Sequence, residues 1–368
     1  MAGKFALKKF ADINLEDVFF DSLKEAYPGT PNSTGFEAWF QSKAREGRTA
    51  LVFEDKMGMA AFVALKSETE EIKLQDAILP RKKRIKVSTL KISERHRGER
   101  YGEGAIGLML WKWQASGCDE IYVTVFEKQS TLITQLERFG FYKVGYNLNG
   151  ECVYFKSKKK LDFSDPYKSF PFIKSDFNYG GYLIIEDSYH DTMFAYSELA
   201  NSKLDLQTQI GNSVRNGLSK IYVGQSPVLK HMVGEPILIY RKDCQDRPGK
   251  RYRSCVTSYA VVTDAFQVKS AGRNLMGFED LKKRIGNKSV FDENELRRQY
   301  TSYKNVSIVE LLYFGYFGAG NNVTMDWLDK NGCWITTERY PTDVRLSLEQ
   351  FTKILEEGKT NVSNVIIN

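Results

Sequence analysis

The feature that most constrains this chain is a strand, a basic turn and a helix in immediate succession. Residues 84–93 alternate and are rich in β-branched side chains, the pattern of a strand, and Tyr101 to Ser116 carries the spacing of a long amphipathic helix. Between them runs Ile92-Ser93-Glu94-Arg95-His96-Arg97-Gly98-Glu99-Arg100-Tyr101-Gly102-Glu103-Gly104-Ala105. A helix N-terminus offers unpaired N–H groups and the positive end of a dipole, and glycine lets such a backbone approach a ligand closely. The unit therefore predicts a pyrophosphate site, with Arg95, Arg97 and Arg100 adding charge.

At 368 residues the chain exceeds one ordinary domain of roughly 100–200 residues, so two are expected, each with its own core. A hydrophobic content of 42% beside 27% charged residues is that of a globular protein, and no run approaches the ~18 consecutive apolar residues of a membrane helix. The start, Met1-Ala2-Gly3-Lys4-Phe5, lacks the apolar stretch and cleavage site of a secretory signal, which predicts a soluble, cytoplasmic protein. Cys118, Cys152, Cys244, Cys255 and Cys333 are widely spaced and never form a CxxC pair. They predict reduced thiols rather than a disulfide framework or a zinc site, and no metal is expected. A net charge of +7 suits an anionic cofactor as well as a nucleic acid and does not choose between them.

Around the turn, helices are predicted over Leu15–Tyr27 and Gly35–Arg45, strands over Thr49–Glu54, Met59–Lys66 and Glu120–Phe126, and a helix over Gln129–Phe139 stopped by Gly140. A closing hairpin runs from Phe141 to Phe155 and turns at Asn149-Gly150. Then Lys156-Ser157-Lys158-Lys159-Lys160, Asp165-Pro166 and Phe170-Pro171 give a charged, proline-punctuated stretch without periodicity, which predicts a linker over 156–180. Strand patterns at Tyr182–Glu186, Pro236–Arg241, Tyr259–Ala265 and Ser307–Phe317, with helical ones at Gly277–Gly286 and Glu293–Tyr303, predict a second α+β domain over 181–368.

The turn resembles the signature of the GNAT superfamily of acetyl-CoA-dependent N-acetyltransferases, Arg/Gln-x-x-Gly-x-Gly/Ala and a further glycine, with Arg95 first and Gly98 second. Arg100 departs from it, standing where the family usually has Gly or Ala, and Gly102 takes the place of the further glycine; a charged side chain would then project from the loop. Downstream, Leu132-Ile133-Thr134-Gln135-Leu136-Glu137-Arg138-Phe139-Gly140-Phe141 is similar to the family's last characteristic helix and its closing Gly-Phe. The resemblance covers residues 1–155 and implies a mixed sheet flanked by helices, with acetyl-CoA as cofactor. It implies main-chain contacts from Leu90, Lys91 and Ile92 to the pantetheine arm. The N–H groups from Arg97 through Gly98, Glu99, Arg100 and Tyr101 to Gly102 would meet the pyrophosphate. His96 reads as a loop residue.

Acetyl transfer needs an amine freed of its proton, a polarised carbonyl and a proton for the departing thiolate. The family often uses a tyrosine for the last role and an asparagine at the start of the helix; those positions hold Leu136 and Gln129 here. Ser130, Thr131, Thr134 and Tyr142 are the substitutes within reach, or no acid acts. The strand over 84–93 has no carboxylate, and Glu70, Glu71, Asp76 and Glu94 lack a diagnostic spacing, so a water chain is the alternative base.

In the second half, after Gly211-Asn212-Ser213-Val214 and Lys220-Ile221-Tyr222-Val223, the run Gly234-Glu235-Pro236-Ile237-Leu238-Ile239-Tyr240-Arg241 resembles the Gly-Asp-x-Leu-hydrophobic-Tyr-Arg strand of PUA-like domains of the ASCH and EVE kind. That implies a small β-barrel binding RNA or modified bases; a generic buried strand reads equally well. Arg247-Pro248-Gly249-Lys250-Arg251-Tyr252-Arg253 can neutralise phosphates and stack on a base, making Lys250, Arg251, Tyr252 and Arg253 candidates for RNA binding, with a solvated hairpin tip as the alternative. Arg81-Lys82-Lys83-Arg84-Ile85-Lys86 is also basic. Three functions stay open: acetyl transfer to a nucleic-acid-associated amine presented by the second domain, acetyl transfer to protein or small-molecule amines with a regulatory second domain, and RNA binding without catalysis.

Overall fold

The computed structural model describes residues 5–30, 34–197, 199, 213–245, 248–334 and 344–368. Residues 1–4, Gly211, Asn212 and Arg247 of the sequence features above lie outside the described residues. The chain is α+β and builds two seven-stranded sheets.

The first sheet comprises β1 (Ala6–Lys9), β2 (Thr49–Asp55), β3 (Gly58–Glu68), β4 (Arg84–Ile92), β5 (Glu120–Val125), β6 (Tyr142–Tyr146) and β7 (Cys152–Ser157), in the order β1-β2-β3-β4-β5-β7-β6. Neighbours are antiparallel except β4 and β5, which run parallel. Alternation along β2 and β3 divides two cores. Val52, Phe62 and Ala64 pack with Phe20 of the turn ahead of helix α1 (Asp21–Ala26) and with Phe36 and Phe40 of helix α2 (Phe36–Arg45), and Leu23 of α1 lies against the same cluster; Leu51, Phe53, Ala61 and Val63 face α3 (Tyr101–Ser116). Helix α4 (Ser130–Arg138) follows β5. The helix expected from Leu15 starts only at Asp21, because Asp17 caps a separate 3-10 turn, Val18–Phe20, by accepting from the Phe19 amide.

The second sheet comprises β8 (Gly181–Glu186), β9 (Ser219–Gly224), β10 (Pro236–Lys242), β11 (Cys255–Ser270) and β12 (Val306–Tyr316), ordered β8-β10-β11-β12-β9, with two short strands on β11. Register shifts at three points along the β11–β12 ladder bend the long strands. The sheet curls into a half-barrel, in keeping with the small barrel that the resemblance of the Gly234–Arg241 run implied; among the described residues no ladder joins β8 to β9, and a cavity of about 330 Å³ lies between Tyr182–Glu186 and Tyr222–Gln225. Helices α5 (Asp187–Met193), α6 (Phe278–Ile285), α7 (Glu293–Ser302) and α8 (Leu348–Glu357) flank it, α6 and α7 packing Leu281, Ile285 and Leu296 against Ile221, Val268 and Ile308.

Helix α3 joins the two units. Read from sequence as amphipathic, it is buried on opposite sides, with Ile106, Leu108, Met109, Leu110 and Trp113 all inside; a helix apolar around its circumference has no face left for water. One side lies under the first sheet, and the other meets the second unit, where Trp111 Nε1 donates to Phe314 O at 2.6 Å. Glycine sets that approach: a Cβ on Gly104 would stand 2.2 Å from Asn216 O, and one on Gly107 2.6 Å from Leu218 Cδ2.

The stretch expected to be a linker is packed. Phe170 and Phe172 are fully buried, and Ile173-Lys174 pairs in parallel with Ile366-Ile367. Lys156 is buried as well, donating to Phe139 O and, at 2.7 Å, to Lys168 O, and burial pushes its ammonium down to about 7. The lysines and prolines dominated the sequence pattern, while a few apolar anchors decide the structure. Limited proteolysis is accordingly expected to spare residues 161–180; a first cut there, mapped by mass spectrometry, would contradict this packing.

Candidate cofactor and acceptor site

The site is built where β4 and β5 part. Their parallel pairing runs only from Ile85 opposite Ile121 to Val87 opposite Val123, whereas β4 continues along β3 to Ile92. Beyond Val87 one edge of β4 therefore has no strand partner among the described residues, and its N–H and C=O groups face the opening.

The turn after β4 has Gly98 at φ 85° and Arg100 at φ 66°, the latter as N-cap of α3. A left-handed conformation costs a residue with a Cβ about 1–2 kcal/mol. At Arg100 it is held by the side chain, which donates to Glu103 Oε2 at 2.8 Å, to Ser219 O at 2.6 Å and to Asn287 O at 3.4 Å. The charge expected to project from the loop is thus turned into the contact between the two units. Arg95 is also engaged, with Asp55 at 2.9 Å and the carbonyls of Gly58 and Met59. His96 bridges Asp55 and Glu99, at 2.7 Å each, as a loop residue. Tyr101 places its ring in the core, 4.5 Å from Phe53, and burial pushes its phenol up to about 12. Of the three arginines read as phosphate partners, Arg97 alone has no ion pair among the described residues.

Two cavities meet at the divergence. One of about 860 Å³ is lined by Leu90 to Glu94, by Arg97, Gly98, Arg100, Tyr101 and Gly102 of the turn, by Lys128 to Leu132 and Arg138, and on its far side by Lys283 to Lys288 of the second unit. The other, of about 720 Å³, is walled by Tyr27, Phe36, Trp39, Phe126 and Ser88 to Lys91. Both include Leu90, Lys91, Lys128, Gln129 and Leu132. The first also offers open space over Gly98 and Gly102, where a Cβ would meet nothing within 4 Å. Lys128 and Arg138 have no carboxylate partner among the described residues, lying instead over Phe126 at 5.7 Å and Tyr167 at 3.9 Å.

Among the substitutes for the missing tyrosine, Ser130 and Thr131 line the first cavity, while Thr134 and Tyr142 line neither; Tyr142 packs under Lys160 with Ile72 and Phe155. Leu136 is core. Glu70 pairs with Lys66 and Glu71 with Lys73, and Glu94 lines the first cavity. Residues not foreseen from sequence are Tyr27, whose hydroxyl donates to Glu151 at 3.1 Å, and the side chain of Lys91, which donates to Phe19 O and Ser22 Oγ and whose pKa burial lowers. Lys128, next to Gln129, was within reach of the same helix register that identified Leu136.

The basic stretches fare differently. Arg251 pairs with Asp326 and Asp329, and Arg253 with Asp243 at 3.0 Å, leaving Lys250 and the exposed Tyr252 on the short helix Lys250–Arg253. Lys82 and Arg84 are matched by Glu120. Arg241, at the end of the Gly234–Arg241 run, forms a two-point pair with Asp191 at 2.8 Å. No group of three or more His, Cys, Asp or Glu among the described residues is placed to hold a metal, and none of their helices is long and apolar enough to cross a membrane.

No protein-family model and no curated protein matches the chain. Solved structures do. The NAA60 protein of Arabidopsis thaliana in complex with acetyl-CoA is similar at 16% identity and a TM-score of 0.30, over 43% of this chain and 100% of that one. The NatC complex bound to Gag peptide and CoA is similar at 17% and 0.28, over 41% and 96%. The ASCH protein of Zymomonas mobilis is similar at 13% and 0.30, over 48% and 92%.

Proposed function

We propose that the chain transfers an acetyl group from acetyl-CoA to an amine. The observation that carries this reading is the parting of β4 and β5 with a cavity on either side and five residues common to both. A donor with a long amide-bearing arm can lie along the unpaired edge of β4 at Leu90, Lys91 and Ile92, as the sequence resemblance implies, while an acceptor enters from the opposite side. The N–H groups ahead of α3, the open space over Gly98 and Gly102, and the cations Arg97 and Lys128 suit phosphate oxygens.

When bound, acetyl-CoA supplies the activated acetyl thioester. The chain's own groups bind and orient: Gln129 and Lys128, lining both cavities, can donate to a carbonyl oxygen, and Ser130 and Thr131 offer hydroxyl protons near the start of α4. The second cavity has aromatic walls, two lysines and no carboxylate or histidine among its lining residues. That lining supports a small or peptide amine carrying an apolar group, and the pairing of Arg251, Arg253, Lys82 and Arg84 with carboxylates leaves fewer cations for a polynucleotide acceptor.

The test is thiol release from acetyl-CoA by the full chain, with amino acids, polyamines, peptides and tRNA as acceptors. Release that depends on an apolar amine is expected. Acetyl-CoA binding without release for any amine would overturn transfer and leave a binding module.

A further inference from the structure

The far wall of the larger cavity belongs to the second unit, and we infer that it is part of the cofactor site: Lys283 binds the phosphate groups at the nucleotide end of CoA. This rests on the acetyl-CoA reading and extends it from one unit to both.

Two observations point there. The first is that the second unit holds the main chain of the basic turn at successive residues. Asn287 Nδ2 donates to Gly98 O at 2.8 Å and Asn216 Nδ2 donates to Glu99 O at 2.9 Å, and at the next residue Asn287 O accepts from the Arg100 side chain. Asn287 lies in the turn that ends α6, so the position of α6 and the shape of the phosphate turn are fixed together.

The second observation is the charge on that wall. Between 282 and 288 the chain carries four cations, and three are occupied: Lys282 with Glu293 at 2.5 Å, Arg284 with Asp264 and over the Phe266 ring at 4.2 Å, and Lys288 with Glu310 at 2.6 Å. Lys283 has no carboxylate partner among the described residues, and it lines the cavity across from Arg97, which has none either. Cations from both units, without counter-ions, thus share one cavity with a helix N-terminus. Phosphate oxygens satisfy such groups at little cost, because the ammonium stays partly hydrated.

Calorimetric titration of the full chain with CoA, dephospho-CoA and phosphopantetheine tests this. Lys283→Ala is expected to weaken CoA about fivefold to tenfold and leave phosphopantetheine, which lacks the nucleotide, unchanged. Lys282→Ala, on the same helix but paired elsewhere, should change CoA binding less than about twofold. An effect confined to CoA places the contact at the 3′-phosphate, and an equal effect on dephospho-CoA places it at the pyrophosphate; both support the inference. If wild type binds CoA and Lys283→Ala binds it equally well, the inference fails and the acetyl-CoA reading stands. If wild type binds neither CoA nor phosphopantetheine, both fall.

Discussion

Gly102→Glu is expected to remove measurable acetyl-CoA binding while leaving the fold intact. Gly102 lies in the first turn of α3, is not at positive φ, and a Cβ there would meet nothing within 4 Å, so a side chain costs no backbone strain and displaces no neighbour. A carboxylate in the first turn of a helix even favours the native state, by about 0.3–1 kcal/mol. The same carboxylate would occupy the space in which the N–H groups ahead of α3 must meet phosphate, and would repel it. A loss of at least ~100-fold in affinity, about 2.7 kcal/mol, is expected by calorimetry, with an unfolding midpoint equal to or above that of wild type. Gly98→Glu makes a weaker test, since its φ of 85° adds strain to the electrostatic effect. Unchanged acetyl-CoA affinity in Gly102→Glu would mean that the turn is not the phosphate site.

The turn could be found in the sequence because a strand period of two gives way to a helical period within eight residues, and both periods are local. The elements of the first sheet were legible from equally local signals: β2 and β3 as apolar runs, buried on both faces, and β4 by its alternation. Contacts made by residues far apart in the chain left no such trace. Arg100 looked like a ligand cation because Ser219 and Asn287, which receive it, lie more than a hundred positions away. Arg251 and Arg253 looked free because Asp326, Asp329 and Asp243 cannot be matched to them by spacing. The burial of α3 on opposite sides was partly visible, since Ile106, Met109, Leu110 and Trp113 form one stripe at i, i+3, i+4 and i+7 while Leu108 and Trp111 fall on the other side with Gly104 and Gly107; reading one amphipathic face hid the second unit's contact. Lys283 was beyond reach, because only the folded chain brings α6 to the basic turn.

That contact should also dominate stability, and Glu103→Ala is expected to lower it by about 3–5 kcal/mol. Glu103 is buried, its Oε1 accepting the Leu218 and Ser219 amides at 3.1 and 2.7 Å and its Oε2 accepting from Arg100 Nε and Nη2 at 3.1 and 2.8 Å. Truncation leaves two amides without acceptors and a guanidinium without its counter-charge, each costing more than the hydrogen bond itself contributes. Against a total of 5–15 kcal/mol for a typical domain, that is a large fraction. Glu103→Gln keeps an acceptor for the amides but not the charge, so an intermediate loss is expected. Because the two partners act as a unit, Arg100→Leu combined with Glu103→Leu should cost less than the sum of the single changes, by 1 kcal/mol or more. Urea unfolding of the five variants, the two single Leu changes included, measures this. A loss below 1 kcal/mol in Glu103→Ala, or strict additivity in the pair, would show that the units are held together by apolar packing around α3 alone, with the Arg100–Glu103 pair contributing no more than a surface ion pair does.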